Sequence, residues 1–103
     1  MSARGIDSAA MLAIPTPEVL RVAHQHGATR VRMFGSWARG EQGEGSDLDL
    51  LVDLAPDRSL LDLVAIKQDL EDLLHCSVDV VTERSLSPYM RERVLAEATP
   101  LPA

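Results

Sequence analysis

Asp47 and Asp49 lie two positions apart in the run Ser46-Asp47-Leu48-Asp49-Leu50-Leu51-Val52-Asp53, whose apolar members predict a β-strand from Asp47 to Asp53. On a strand, residues two apart point to the same face about 6.6 Å from one another, so the two carboxylates project together while Leu48 and Leu50 face the other way. Two carboxylates so placed can share divalent metal ions. Metals held roughly 3.5–4 Å apart suit in-line phosphoryl chemistry, because each stabilises one of the oxygens that gain charge during displacement. Magnesium is the expected ion, since it takes carboxylate oxygens together with substrate phosphates. A third acid, Asp79, sits between Val78 and Val80 in a short β-branched run and points to the opposite face from those valines, where it could join the pair. From position alone it is equally a solvent-facing acid on an edge strand.

Upstream, Gly35-Ser36 ends another predicted strand and leads into Ala38-Arg39-Gly40. Glycine lets the backbone approach a phosphate closely, the N–H groups near Ser36 can point at it, the Ser36 hydroxyl adds a donor, and Arg39 supplies a fixed positive charge. Taken alone, a Gly-Ser turn is an ordinary strand ending. Its place shortly before a same-face aspartate pair favours the phosphate reading.

Positioning these groups requires strands with helices between them. Thr16-Pro17-Glu18 opens a helix with an N-cap hydroxyl, a proline at the first helical position and an acid in the first turn, and Gly27 closes it. Thr29 to Phe34 alternate, with Val31 and Met33 on one side and Arg30, Arg32 and Phe34 on the other, as a half-buried strand does. Glu41 to Ser46 form a polar, glycine-rich turn. Ser59-Leu60-Leu61-Asp62 is a capping-box pattern, and apolar residues at helical spacing follow through Leu74. Val78 to Val81 form the third strand, and Ser87-Pro88 starts a last helix. This order predicts one small α/β domain over residues 16–98, with three core strands and helices packed on the sheet. Residues 1–15 are expected to be a tail docking through Met11, Leu12 and Ile14, and residues 99–103 a second tail that cannot continue the helix.

Composition narrows the chemistry. The chain has 103 residues and a formal net charge of -6, which argues against direct nucleic-acid binding, because the broad positive field that holds a phosphate backbone is missing. With Phe34, Trp37 and Tyr89 as its only aromatics, it can build no base-stacking platform. Cys76 is alone, which excludes an internal disulfide and fits a reducing, cytoplasmic setting. No apolar run approaches the roughly 18 residues a membrane span requires. His24 and His26 diverge on a helix and His75-Cys76 lacks further ligands, so neither is read as a metal site; Asp53 is read as a strand-end acid.

The run Gly35-Ser36-Trp37-Ala38-Arg39-Gly40, followed by Ser46-Asp47-Leu48-Asp49-Leu50-Leu51-Val52, resembles the signature of the DNA polymerase β nucleotidyltransferase superfamily in its minimal, MNT-type form. Val78-Asp79-Val80-Val81 is similar to the strand bearing that group's third carboxylate, and Pro88 to Leu95 to its C-terminal helix. The resemblance implies a polymerase β-like fold and transfer of AMP from ATP to a hydroxyl, with pyrophosphate leaving. It implies that Asp47, Asp49 and Asp79 are catalytic and bind two Mg²⁺, and that Gly35, Ser36, Arg39 and Ser46 bind the nucleotide. It also implies an antitoxin, paired in a hetero-oligomer with a helical HEPN-domain toxin whose tyrosine accepts the AMP. Relatives that modify antibiotics or tRNA carry extra domains to hold their acceptors, so here a protein acceptor is expected. The alternative is a non-catalytic binding module that neutralises its partner by contact alone.

Overall fold

A computed structural model describes residues 14–41, 43 and 45–101. Its elements are α1 (Thr16–Gln25), β1 (Ala28–Phe34), the short α2 (Ser36–Arg39), β2 (Leu48–Leu54), α3 (Leu60–Leu74), β3 (Val78–Val81), a 3₁₀ turn (Glu83–Ser85), α4 (Pro88–Glu97) and β4 (Thr99–Pro100). The strands form one mixed sheet in the order β3-β2-β1-β4. β1 and β2 run antiparallel, whereas β2 and β3 run parallel, a pairing that needs a crossover, which α3 supplies.

Alternation assigns each face of the sheet a separate task. Val31 and Met33 of β1, Leu48, Leu50 and Val52 of β2 and Val78 of β3 point to one face and are buried there beneath Val19 and Ala23 of α1 and Leu63, Ile66 and Leu70 of α3. The opposite face carries Arg32, Phe34, Asp49, Leu51, Asp53 and Asp79, because Phe34 is registered against Asp49, Arg32 against Leu51, and Asp49 against Asp79. The apolar layer therefore stabilises the sheet from one side, while the other side carries the polar groups around the buried Leu51 and Arg32.

Local signals fix the element ends. The Ser59 hydroxyl accepts from the Leu61 N–H at 3.3 Å and the Asp62 carboxylate accepts from the Ser59 N–H at 3.0 Å, closing the predicted capping box. Gly27, at φ 90°, ends α1, and the Ser87 hydroxyl accepts from the Met90 N–H at 3.3 Å to start α4. Three expectations are corrected. Thr16 is not an N-cap: it is the first helical residue, buried, with its hydroxyl 3.4 Å from the Ile14 carbonyl, and Pro15 stands at the cap. β2 begins at Leu48, leaving Asp47 on the loop just before it. The segment after residue 98 is not a tail, since Thr99 and Pro100 pair with Met33 and Arg32 as a fourth strand and Leu101 is buried in the core. A proline is tolerated there because β4 is an edge strand. Of the expected N-terminal tail, Ile14 packs against the core, while Met11 and Leu12 lie outside the described residues, as do Gln42 and Glu44 of the glycine-rich turn. No described helix is long and apolar enough to cross a membrane.

The burial pattern along α3 makes a direct prediction. Leu70 is fully buried whereas Leu61 is 79 % exposed. Leu70→Ala is expected to lower the unfolding free energy by about 2–5 kcal/mol, the cost of a core cavity, and Leu61→Ala by less than about 0.5 kcal/mol. Urea titration of the two variants checks this, and equal effects would contradict the orientation of α3.

Candidate active site

β2 and β3 bring Asp49 and Asp79 side by side, since the two residues are register partners on adjacent parallel strands and share a face. Asp47 joins them from the loop before β2; it and Asp79 are exposed, and Asp49 is half-buried. Burial, and then the like charges of Asp79, Asp47 and Glu97, push the Asp49 carboxyl up to about 6. Among the described residues no three acidic, histidine or cysteine side chains converge into a ready metal cage. That arrangement still suits magnesium, which is usually held by one or two carboxylates with waters and substrate phosphates completing the shell. Hard oxygen donors under mutual repulsion are the chemistry a divalent cation relieves.

Gly35 forms the wall opposite these acids. Its φ of 78° lies in the left-handed region, and a Cβ built there would collide with Asp49 Oδ2. Only glycine lets the backbone pass this close to the carboxylate. Beyond it, Ser36 to Arg39 make a single helical turn that Gly40 closes at φ 71°. Arg39 donates to Glu41 Oε1 at 2.9 Å and to Glu97 Oε1 at 2.7 Å, and the Gly35 N–H donates to the same Glu97 oxygen at 2.6 Å. A cleft of about 190 Å³ opens beside them, lined by Phe34, Met90, Arg93 and Val94 together with Gly35, Arg39 and Glu97. Ser46 is engaged in its own turn, its hydroxyl accepting from the Gly43 N–H at 2.8 Å.

β3 is an edge strand, and two side chains of α3 satisfy its first backbone groups. Lys67 Nζ donates to the Val78 carbonyl at 2.7 Å and to Glu71 Oε2 at 2.8 Å, and that Glu71 oxygen accepts from the Val78 N–H at 3.0 Å. The clamp fixes the backbone one residue before Asp79. It also lifts the Lys67 ammonium above its usual range, first through Glu71 and then through the charges of Asp79 and Asp47. Sequence reasoning missed Lys67, Glu71 and Glu97 as parts of this site. The Lys67–Glu71 spacing is readable as a helical ion pair, but its reach to β3 is not, and nothing in the spacing singles out Glu97. Elsewhere, His26 Nε2 lies 2.8 Å from Asp69 Oδ2, tying the end of α1 to α3, and Asp53 lies 3.7 Å from Arg32.

Residues 18–101 match the family model described as Nucleotidyltransferase domain. The chain is 44% identical over 81 residues to a Methanocaldococcus jannaschii protein assigned by name to the protein adenylyltransferases, covering 79% of this chain and 87% of that one. It is 37% identical over 94 residues to the protein adenylyltransferase MntA of Thermococcus cleftensis, covering 85% and 95%. Among solved structures, a minimal nucleotidyltransferase superposes with a TM-score of 0.80 at 48% identity, covering 97% of this chain and 100% of that one. A chain of the complex between tri-AMPylated HEPN toxin and MNT antitoxin of Shewanella oneidensis shares the fold, with a TM-score of 0.64 at 18% identity and coverage of 95% and 73%.

The raised Asp49 carboxyl has a consequence for stability. The folded state holds this proton more tightly than the unfolded chain, whose aspartates titrate near 3.8, so stability falls as pH rises from about 4 through about 6. Discounted for the solvent access of a half-buried group, the loss is on the order of 1 kcal/mol. Without divalent cations, Asp49→Asn is therefore expected to melt about 4–8 °C above the native chain at pH 7.5, with the gap closing below pH of about 4. Thermal melts across pH check this, and a native chain as stable as the variant at pH 7.5 would refute it.

Proposed function

Since the chain belongs to the nucleotidyltransferase domain family, we propose that it transfers AMP from ATP to a hydroxyl, a tyrosine of a helical HEPN-type toxin, and so serves as the antitoxin of a toxin–antitoxin pair. The observation that carries the reading is the face shared by Asp49 and Asp79, with Asp47 at its edge and Gly35 in contact with Asp49. The adenylyltransferase names of the relatives at 44% and 37% identity support it, as does the likeness in fold to a complex with an AMPylated HEPN toxin.

In this assignment the Gly35 N–H, the Ser36 hydroxyl and the Arg39 guanidinium hold the triphosphate, and Ser46 shapes the turn that delivers Asp47. Asp47, Asp49 and Asp79 would hold two Mg²⁺, which when bound neutralise the phosphates and stabilise charge on the attacking and leaving oxygens. Asp79, exposed on the edge strand β3, is assigned to the acceptor hydroxyl, whose proton it can take as the oxygen attacks the α-phosphorus. The bond from that phosphorus to the bridging oxygen breaks, and pyrophosphate leaves. The clamp from Lys67 and Glu71 holds Asp79 in place. Placement in the cytoplasm follows from the same assignment, since ATP and a toxin partner meet there.

Label transfer tests this. With α-³²P-ATP, Mg²⁺ and the co-purified partner, label is expected on the partner; with γ-³²P-ATP it is not. Asp47→Asn/Asp49→Asn is expected to lower transfer at least about 100-fold, the scale of losing preorganised charge stabilisation. A tight complex that takes no label from either position would instead indicate neutralisation by contact alone.

A further inference from the structure

Glu97 is the last residue of α4, and one of its carboxylate oxygens accepts from both the Gly35 N–H at 2.6 Å and the Arg39 guanidinium at 2.7 Å. Those are the donors assigned above to the triphosphate. A single anionic oxygen drawing on a backbone amide and an arginine is also how a non-bridging phosphate oxygen would use them. A backbone N–H has one hydrogen to give, so Gly35 serves either the carboxylate or a phosphate. The two anions would also repel one another at this distance, beside the acids of β2 and β3.

The backbone of Glu97 is anchored. The Ala98 N–H donates to the Val94 carbonyl at 2.8 Å, Thr99 and Pro100 are paired to β1, and Leu101 is buried in the core. The side chain is 29% exposed, held through its carboxylate by the hydrogen bonds from Gly35 and Arg39. A second cation waits one helical turn away: Arg93 is four residues before Glu97 on α4, exposed, and lines the same cleft. That spacing places both side chains on one helix face. The carboxylate occupies one station, Gly35 with Arg39, and the i,i+4 spacing puts a second cation, Arg93, within reach of a rotamer change.

We propose that Glu97 is the internal competitor of the nucleotide's phosphates: its carboxylate holds Gly35 and Arg39 in their binding geometry and leaves for Arg93 when a triphosphate arrives, which makes Glu97 a determinant of nucleotide affinity. The inference rests on the assignment of Gly35 and Arg39 to the phosphates. Affinity is lowered in proportion to the fraction of molecules in which Glu97 occupies these donors.

Calorimetric titration of the full chain with Mg²⁺ and ATP, and separately with Mg²⁺ and inorganic tripolyphosphate, tests it. Glu97→Gln is expected to lower Kd about tenfold for both ligands and to leave binding of adenosine, which has no phosphate, unchanged. Glu97→Asp keeps the charge on a shorter side chain and is expected to fall between. Glu41→Gln removes a carboxylate from Arg39 but leaves Gly35 bonded, and is expected to change Kd less than twofold. In the native chain, the Gly35 amide proton is expected to change its chemical shift on adding tripolyphosphate, and the Glu97→Gln chain to show an altered starting position. Native binding that is unchanged or weakened in a folded Glu97→Gln overturns the role of Glu97 alone, and so does an equal gain in Glu41→Gln. Failure of every variant and the native chain to bind either phosphate ligand overturns the assignment of Gly35 and Arg39 as well.

Discussion

The side-by-side placement of Asp49 and Asp79 on adjacent parallel strands is the constraint around which the rest is arranged. Two carboxylates in register repel, and a short edge strand such as β3 has little of its own to hold it in place. Support comes from the other face of the sheet, where Leu48, Leu50 and Val78 bring the same strands together in a buried layer. It comes also from α3, which buries Leu63, Ile66 and Leu70 and on its flank presents Lys67 and Glu71 to the Val78 backbone. One helix thus closes the core and sets the third acid.

The same logic explains an otherwise costly residue. Arg32 lies on the site face of β1, 8% exposed, with Nε and one Nη buried and without hydrogen-bond partners among the described residues. Such a charge is expensive to bury. Asp53 at 3.7 Å and Glu83 at 3.5 Å flank it, so it serves as a countercharge inside an acidic face. β4 adds cover by pairing with β1 at Arg32 and Met33.

Much of this was legible in the residues, for identifiable reasons. Alternation placed Asp49 on a strand face, the β-branched run placed Asp79, and the capping box at Ser59 located α3, because each is a local signal with a short period. The Gly35 turn was legible because positive φ selects glycine. What escaped depends on distant pairing. β4 is two residues long and contains a proline, so no propensity marks it; only its register against Arg32 and Met33 makes it a strand. Arg32 reads as a solvent-facing residue by alternation, and its burial follows from neighbours far along the chain. Thr16 reads as a cap by type, yet Pro15 takes that place. The roles of Glu97 and Lys67 arise from contacts across 62 and 11 positions, which no spacing rule reports.

The cations around the site show what it demands of a ligand. Arg32 is set against Asp53 and Glu83, Arg39 against Glu41 and Glu97, and Lys67 against Glu71, so each of these three is already matched to a carboxylate. In a chain with a formal net charge of -6, simple attraction offers a polyanionic triphosphate little here beyond Arg93, which lines the same cleft as Arg39 and Glu97. The triphosphate must bring its own positive charge, as a magnesium complex does, or release a carboxylate already in place. On the proposed assignment, Asp47, Asp49 and Asp79 would answer the first requirement. Of the carboxylates paired with Arg39, only Glu97 also holds the Gly35 amide, so its movement frees a charge and a backbone donor together and answers the second. On the assignment proposed above, selectivity for metal-complexed triphosphates would arise from an acidic site in which Arg32, Arg39 and Lys67 are each already paired with carboxylates.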